Sequence, residues 1–245
     1  MGTIKSEGWI FTKEEIDNFS PSRKDGIGKD QEDDLRRSYC FLVKNLGRIL
    51  KLPISAVTTA IFLCHRFYMR QSHGNNDRFI IATACVLIAV KNMELERKQI
   101  LKVTESLYNA LYDCPDLAVI SVEKRKQLIL HGERLVLSTL EFDLDVDNPY
   151  KYLFAAVKQY KVDELHPEIM QWSIRFLDTG LMTPLCLQFK SQHFAGTAFY
   201  MAYRFLKVQS PSGTESLLWS AFQISPSQLA EIYIQAREFH KRRNR

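Results

Sequence analysis

Residues 77–91 read Asp-Arg-Phe-Ile-Ile-Ala-Thr-Ala-Cys-Val-Leu-Ile-Ala-Val-Lys. From Phe79 to Val90 every position is apolar or small, so a helix here has no polar face. Such a helix is stable in water only when other helices surround it. The run is bracketed by Arg78 and Lys91 and is shorter than the roughly 20 residues a membrane span needs, so it reads as a buried core helix. A second stretch repeats the pattern. Ala82, Thr83, Ala84, Cys85, Ala89 and Lys91 correspond to Ala195, Gly196, Thr197, Ala198, Ala202 and Arg204, every pair at the same offset of 113. Bulky residues fill the space between in both copies, Val86-Leu87-Ile88 and Phe199-Tyr200-Met201. An internal repeat of this length implies two similar helical units, each built round a small-residue helix.

Around these two segments the 3.6-residue period dominates. Leu35, Tyr39, Leu42, Leu46, Ile49 and Leu50 mark one helix, taken to begin near Asp33 and stopped by Pro53, and Ser55 is the expected cap of the next. Further helices are expected at 96–112, 121–142, 149–161, 166–181, 190–208 and 214–222, and from Pro226 to the end. Asn148 and Ser225 serve as caps, each with proline at the first helical position. Ahead of Asp33 lies a polar extension in which Thr12 and Glu15 form a capping box. Ser20-Pro21-Ser22-Arg23 and Asp25-Gly26 break the short helix that follows, and Trp9-Ile10-Phe11 is apolar enough to dock on the body. Period-two strand patterns are missing. The fold class is therefore all-α, in three parts: extension 1–32, first repeat 33–146, second repeat 147–245.

Composition narrows the function. With 46% hydrophobic residues the chain of 245 buries a real core, and a net charge of +5 from 33 basic and 28 acidic residues is too mild and interspersed for a nucleic-acid groove. The one dense basic run, Lys241 to Arg245, reads either as a solvated helix end or as a nuclear import signal. Five cysteines without C-x-x-C spacing point to reduced, buried thiols rather than a zinc or disulfide framework. The start, Met1 to Trp9, lacks the apolar core of a signal peptide, so an intracellular protein is expected. Phosphate-binding glycine loops and hydrolase or metalloprotease motifs are absent, so no catalytic residue, cofactor or metal is expected. His65 has no second ligand three or four residues away and reads as a hydrogen-bonded core histidine. The Ser-Pro and Thr-Pro pairs at Ser20, Thr183 and Ser210 leave phosphorylation and turn readings open.

Two charges are out of place. Glu133 falls between Leu137 and Leu140 on the apolar side of its helix, one turn after Ile129. An ionised carboxylate there costs several kcal/mol unless paired. Lys91 closes the helix that is otherwise apolar. Either Lys91 caps a helix and Glu133 lies at a half-wet edge, or both emerge at one surface and serve a partner; the residues leave both readings open.

Several motifs together resemble the cyclin family, and within it the transcriptional T and K types. Phe11-Thr12 with Ser20-Pro21-Ser22-Arg23 is similar to the N-terminal extension of cyclin T, and the wording of the segment is closest to the plant members. Thr59-Ala60-Ile61 leading to His65-Arg66-Phe67-Tyr68-Met69 and Gln71-Ser72 resembles its second helix. Ala82 to Lys91 resembles the third, Glu133 through Leu140, Phe142 and Leu144 the fifth, and Asp147-Asn148-Pro149 the start of the linker. The resemblance is strong over 9–150 and weaker to 240. It implies two tandem five-helix cyclin boxes. It also implies a regulatory subunit, not an enzyme, that pairs as a heterodimer with a transcriptional cyclin-dependent kinase and resides in the nucleus. The implied substrate is the RNA polymerase II C-terminal domain, with no membrane and no direct nucleic-acid contact. Lys91 and Glu133 match the pair that grips the kinase, Phe142 matches an apolar anchor, and Leu137 is placed on the same surface.

The chain departs from the family pattern at Asn92-Met93-Glu94, where an apolar residue and paired glutamates are usual. The substrate-docking motif of cell-cycle cyclins is missing near Leu35-Arg36-Arg37, and the chain stops soon after the second box. The competing readings are a cyclin-box transcription adaptor, which should carry a basic stripe, a weak, decayed cyclin motivated by Asn92-Met93, and a small helical enzyme, which should show convergent polar groups.

Overall fold

The computed structural model describes residues 8–93, 104–107, 121–159, 167–207 and 220–243, with side chains to residue 239. Helices account for the regular structure, and there is no strand among the described residues. No helix among them is long and apolar enough to cross a membrane. The chain divides into two compact units, Thr12–Val146 and Asp147–Arg245, and residues 8–11 group with the second.

The first unit opens with α1 (Lys13–Phe19), where Thr12 accepts from the Glu15 amide and the Glu15 carboxylate accepts from the Thr12 amide at 2.8 Å, the expected capping box. The proline and serine residues that follow do not simply break the chain. Pro21–Lys24 forms a single helical turn, α2, because proline suits the first helical position. Helix α3 runs Lys29–Ile49, starting four residues before the expected Asp33 because Gly28 supplies an extended N-cap. Helix α4 (Ile54–Tyr68) is capped by Pro53 rather than Ser55. Helix α5 is Arg78–Lys91, with Asp77 accepting from two amides at its start. Helix α6 is Val122–Thr139, shorter than the expected 121–142.

Every residue from Ile81 to Val90 is buried, and α5 packs against α3, α4 and α6. Its alanines let those neighbours approach. The buried side of α3 differs from the expected one: Leu35 is half-buried and Ile49 exposed, while Glu32, Asp33 and Arg36 face inward. They form an ionic cluster. Arg36 pairs with Glu32 at 3.1 Å and Asp33 at 2.7 Å, Glu32 also pairs with Arg23 at 3.0 Å, and it accepts the Ser20 hydroxyl at 2.8 Å. Ionised groups so deep are tolerated because each is matched. His65 is buried, its Nδ1 lying 2.5 Å from the Tyr39 hydroxyl, and so ties α4 to α3.

The second unit contains α7 (Pro149–Gln159), α8 (Pro167–Gly180), a 3-10 turn (Pro184–Leu187), α9 (Ser191–Leu206) and α10 (Pro226–Arg243). Asn148 caps α7 by accepting from the Tyr150 amide at 2.9 Å, and Ser225 with Gln228 forms a capping box on α10. Phe11 is buried here, its amide donating to the Leu187 carbonyl at 2.7 Å, whereas Ile10 is exposed. Helix α9 packs against α7, α8 and α10, in the role α5 has in the first unit. The repeat keeps its register in the central helix: α5 begins at Arg78 and α9 at Ser191, 113 apart, the offset of the matched residues.

Cys40, Cys64, Cys85 and Cys186 are buried thiols. Ser20 and Thr183 are also buried, with their hydroxyls donating to Glu32 and to the Gly180 carbonyl. Most of the helices expected at 96–112 and 214–222, together with Cys114, Ser210 and the basic side chains 241–245, lie outside the described residues.

Two predictions follow from this packing. A Cβ on Gly196 would sit 2.7 Å from the Phe222 Cβ, and Phe222 is fully buried. Gly196→Ala is therefore expected to destabilise by about 1–3 kcal/mol through overpacking, despite alanine's better helix propensity, read as a lower urea midpoint. His73 lies edge-on to Tyr39 and Tyr68, and its pKa is lowered to about 3 from 6.5, by burial first and then by Arg36 and Arg78. Between those values the unfolded chain binds a proton that the folded chain refuses. The stabilisation from a neutral His73 is full above 6.5 and is lost as pH falls through this window. His73→Gln is expected to lose less stability than the native chain between pH 7 and pH 4.5, measured by urea unfolding.

Candidate functional site

Lys91 is the last residue of α5 and Glu133 lies midway along α6. The two helices pack closely where Gly132 faces Ile80 and Ala84. This close approach brings the charges together. The Lys91 ammonium donates to both Glu133 oxygens, at 2.6 and 2.9 Å. The carboxylate side chain is 12% exposed and the lysine side chain 44%, so the acid is sunk and the cation stands at the rim. Of the two readings left open by the residues, the wet-edge alternative fails for Glu133. It is buried on the Ile129, Val136 and Leu140 side of α6, and pairing is what makes its position tolerable.

Leu137 follows Glu133 by one helical turn on the same face and is half-buried. Helix α6 then ends in a Schellman motif. The Glu141 amide donates to the Ser138 carbonyl and the Phe142 amide to the Leu137 carbonyl at 3.0 Å. Both Glu141 and Phe142 take left-handed backbone, with φ of 52° and 60°. An aromatic residue in that region is an outlier, since glycine or asparagine fits it better. Yet the ring is 71% exposed, so packing within the chain does not explain it. Bulky residues held in unusual backbone at a surface are common at functional sites.

The structure thus brings Lys91 to Glu133 and ties Phe142 to Leu137 through the end of α6. Sequence reasoning extended the helix through Phe142 because the apolar period continues to it, and missed the turn because no glycine or asparagine marks it. It also missed what holds the following strand of loop: Arg66, buried on α4, donates to the Asp145 carbonyl at 2.7 Å. The only signal was an arginine among apolar neighbours. Among the described residues no group of three His, Cys, Asp or Glu is placed to hold a metal.

The pair is asymmetric, and that is measurable. Lys91→Ala leaves a nearly buried carboxylate without its cation, whereas Glu133→Ala leaves a lysine free to reach water. Lys91→Ala is expected to cost about 1–3 kcal/mol, between the exposed and buried limits, and Glu133→Ala less. Equal losses in urea unfolding would show that Glu133 is solvated in the folded chain.

Residues 9–145 match the family model for the cyclin N-terminal domain. Cyclin-T1-5 of Arabidopsis thaliana is 42% identical over 238 residues, which cover 95% of this chain and 41% of that protein. The chain therefore spans less than half the length of that curated relative. Cyclin-T1-3 of Arabidopsis thaliana is 38% identical over 91% of this chain and 71% of its own length. In the crystal structure of the yeast RNA Pol II CTD kinase CTDK-1 complex, one chain matches with a TM-score of 0.75, covering 98% of this chain and 75% of that one. At 16% identity that likeness speaks to the fold alone. A buried small-residue helix in each of two units, the matched N-terminal domain and the identity to T-type relatives agree: the chain belongs to the cyclin family, with the T-type cyclins of plants.

Proposed function

We propose that the protein is the activating subunit of a cyclin-dependent kinase of the transcriptional type, and that the end of the α5–α6 pair is its kinase-binding surface. The observation that carries this reading is the sunken Glu133 bound at both oxygens by Lys91, with the exposed Phe142 ring held beyond it by the Schellman turn. An ion pair in this state is pre-ordered. Its lysine still has a donor for a partner's carbonyl, and an exposed aromatic at the close of the same helix has the composition of a binding hot spot. On docking, the subunit would push the kinase's regulatory helix inward, so that the kinase's own lysine–glutamate pair forms and aligns ATP. Support for a transcriptional kinase comes from the T-type relatives and from the fold shared with a chain of an RNA Pol II CTD kinase complex. The proposed substrate is accordingly the polymerase C-terminal domain, and the proposed compartment is the nucleus.

One observation favours a weaker variant of the same reading. Immediately after Lys91 the surface carries exposed Asn92 and half-buried Met93, so one charge and one apolar contact of the family pattern are changed next to the proposed grip.

The test mixes the purified chain with a transcriptional cyclin-dependent kinase subunit and a polymerase C-terminal-domain peptide. The expected result is strong stimulation, reduced roughly tenfold or more by Glu133→Ala and by Phe142→Ser. Phe142→Ser matters most because its ring is exposed, so its loss leaves folding intact. Binding without stimulation would support the weak form. Failure to bind any such kinase would remove the activator reading in favour of an adaptor.

A further inference from the structure

The second unit carries an aromatic cluster that reaches its surface. Trp172 and Phe176 on α8 and Phe205 in the last turn of α9 form one cluster. Ring centroids lie 4.0 Å apart for Trp172–Phe205, 6.0 Å for Trp172–Phe176 and 6.1 Å for Phe176–Phe205. The Phe205 ring is 55% exposed, and Trp172 and Phe176 are half-buried. The Arg175 guanidinium lies 4.7 Å from the Trp172 ring centroid. Three large rings kept together at the surface hold apolar area in water, at a cost that a solitary exposed residue does not imply.

The repeat gives the location meaning. Since α9 stands 113 residues beyond α5, Arg204 occupies the place of Lys91 and Phe205 the place of Asn92. The first unit closes its central helix with a lysine and a polar residue. The second closes the equivalent helix with an arginine and an exposed aromatic.

Charge indicates the occupant. Residues 172–176 and 203–207 contain Arg175, Arg204 and Lys207, all exposed, and no acid. Guanidinium groups grip carboxylates through two parallel hydrogen bonds, and rings beside them take an apolar side chain. Single-stranded nucleic acid also uses rings and cations, but it needs a longer cationic track than three side chains provide. Elsewhere on α8 the charged residues are the acids Glu168 and Asp178. We propose that the Trp172–Phe176–Phe205 surface docks an acidic, aromatic-bearing peptide segment of a partner protein. Its ring lies on Phe205 and Trp172, and its carboxylates meet Arg175 and Arg204. This docking site is independent of the kinase reading, because it belongs to the second unit and to different residues.

The test is fluorescence anisotropy with the full chain and a fluorescein-labelled peptide of repeated Asp-Phe-Glu-Pro. Binding is expected to weaken with added salt and to fall roughly tenfold or more in Phe205→Ser and in the double variant Arg175→Gln with Arg204→Gln. Phe205→Tyr, which keeps the ring, should bind like the native chain. The proposal is overturned if the peptide does not bind at about 1 mM. It is equally overturned if Phe205→Ser binds unchanged, if a Lys-Phe-Arg-Pro peptide binds as well, or if an oligothymidine displaces the acidic peptide and binds more tightly.

Discussion

A helix without a polar face cannot stand at a surface, and α5 imposes that constraint on the first unit. With Ile81 to Val90 all buried, α3, α4 and α6 must enclose it, and its alanines set how close they come. The enclosure also fixes where α5 can end. Its first polar side chain after Arg78 and Thr83 is Lys91, so the charge must emerge where the surrounding helices stop covering it. The location of Lys91 is thus a consequence of core packing, and the acid that meets it is placed by the tight α5–α6 approach at Gly132.

From that packing comes a division of labour. The core supplies rigidity, while Lys91 and Glu133 supply a charge in fixed geometry and the turn that closes α6 presents an exposed ring. For the proposed kinase contact this matters more than the raw strength of the ion pair. A salt bridge formed before docking spares the partner the entropy of ordering two long side chains. The second unit repeats the scaffold in register but changes the terminal residues of its central helix, which is how one packing solution can present two different surfaces.

Much of this was legible in the sequence, for identifiable reasons. The buried helix was visible because continuous apolarity over residues 79–90 has few other meanings, and the repeat because small residues recur at one offset. Glu133 was visible because a carboxylate on an apolar face demands an explanation. Its partner was not determined by pattern, since residues 42 positions apart meet only through tertiary packing. The inward face of α3 was misread for the opposite reason: helical periodicity counts Leu35 as core and Arg36 as surface, and it cannot see that Glu32 and Asp33 neutralise the arginine while Arg23 shares the Glu32 carboxylate. The left-handed end of α6 was hidden because its turn uses Glu141 and Phe142 rather than glycine.

The hydroxyl of Ser20 has a bearing on which side chains of the folded protein are open to modification. Ser20 precedes Pro21 and Thr183 precedes Pro184, the dipeptides that proline-directed kinases attack, yet both hydroxyls face inward and are already engaged. In the folded chain neither oxygen can reach a phosphate donor. A phosphate added to Ser20 during synthesis would meet the Glu32 carboxylate at the position where α2 closes on α3, and like-charge repulsion would oppose that closure. Folding therefore acts as a shield, removing these two acceptors from the reach of any kinase.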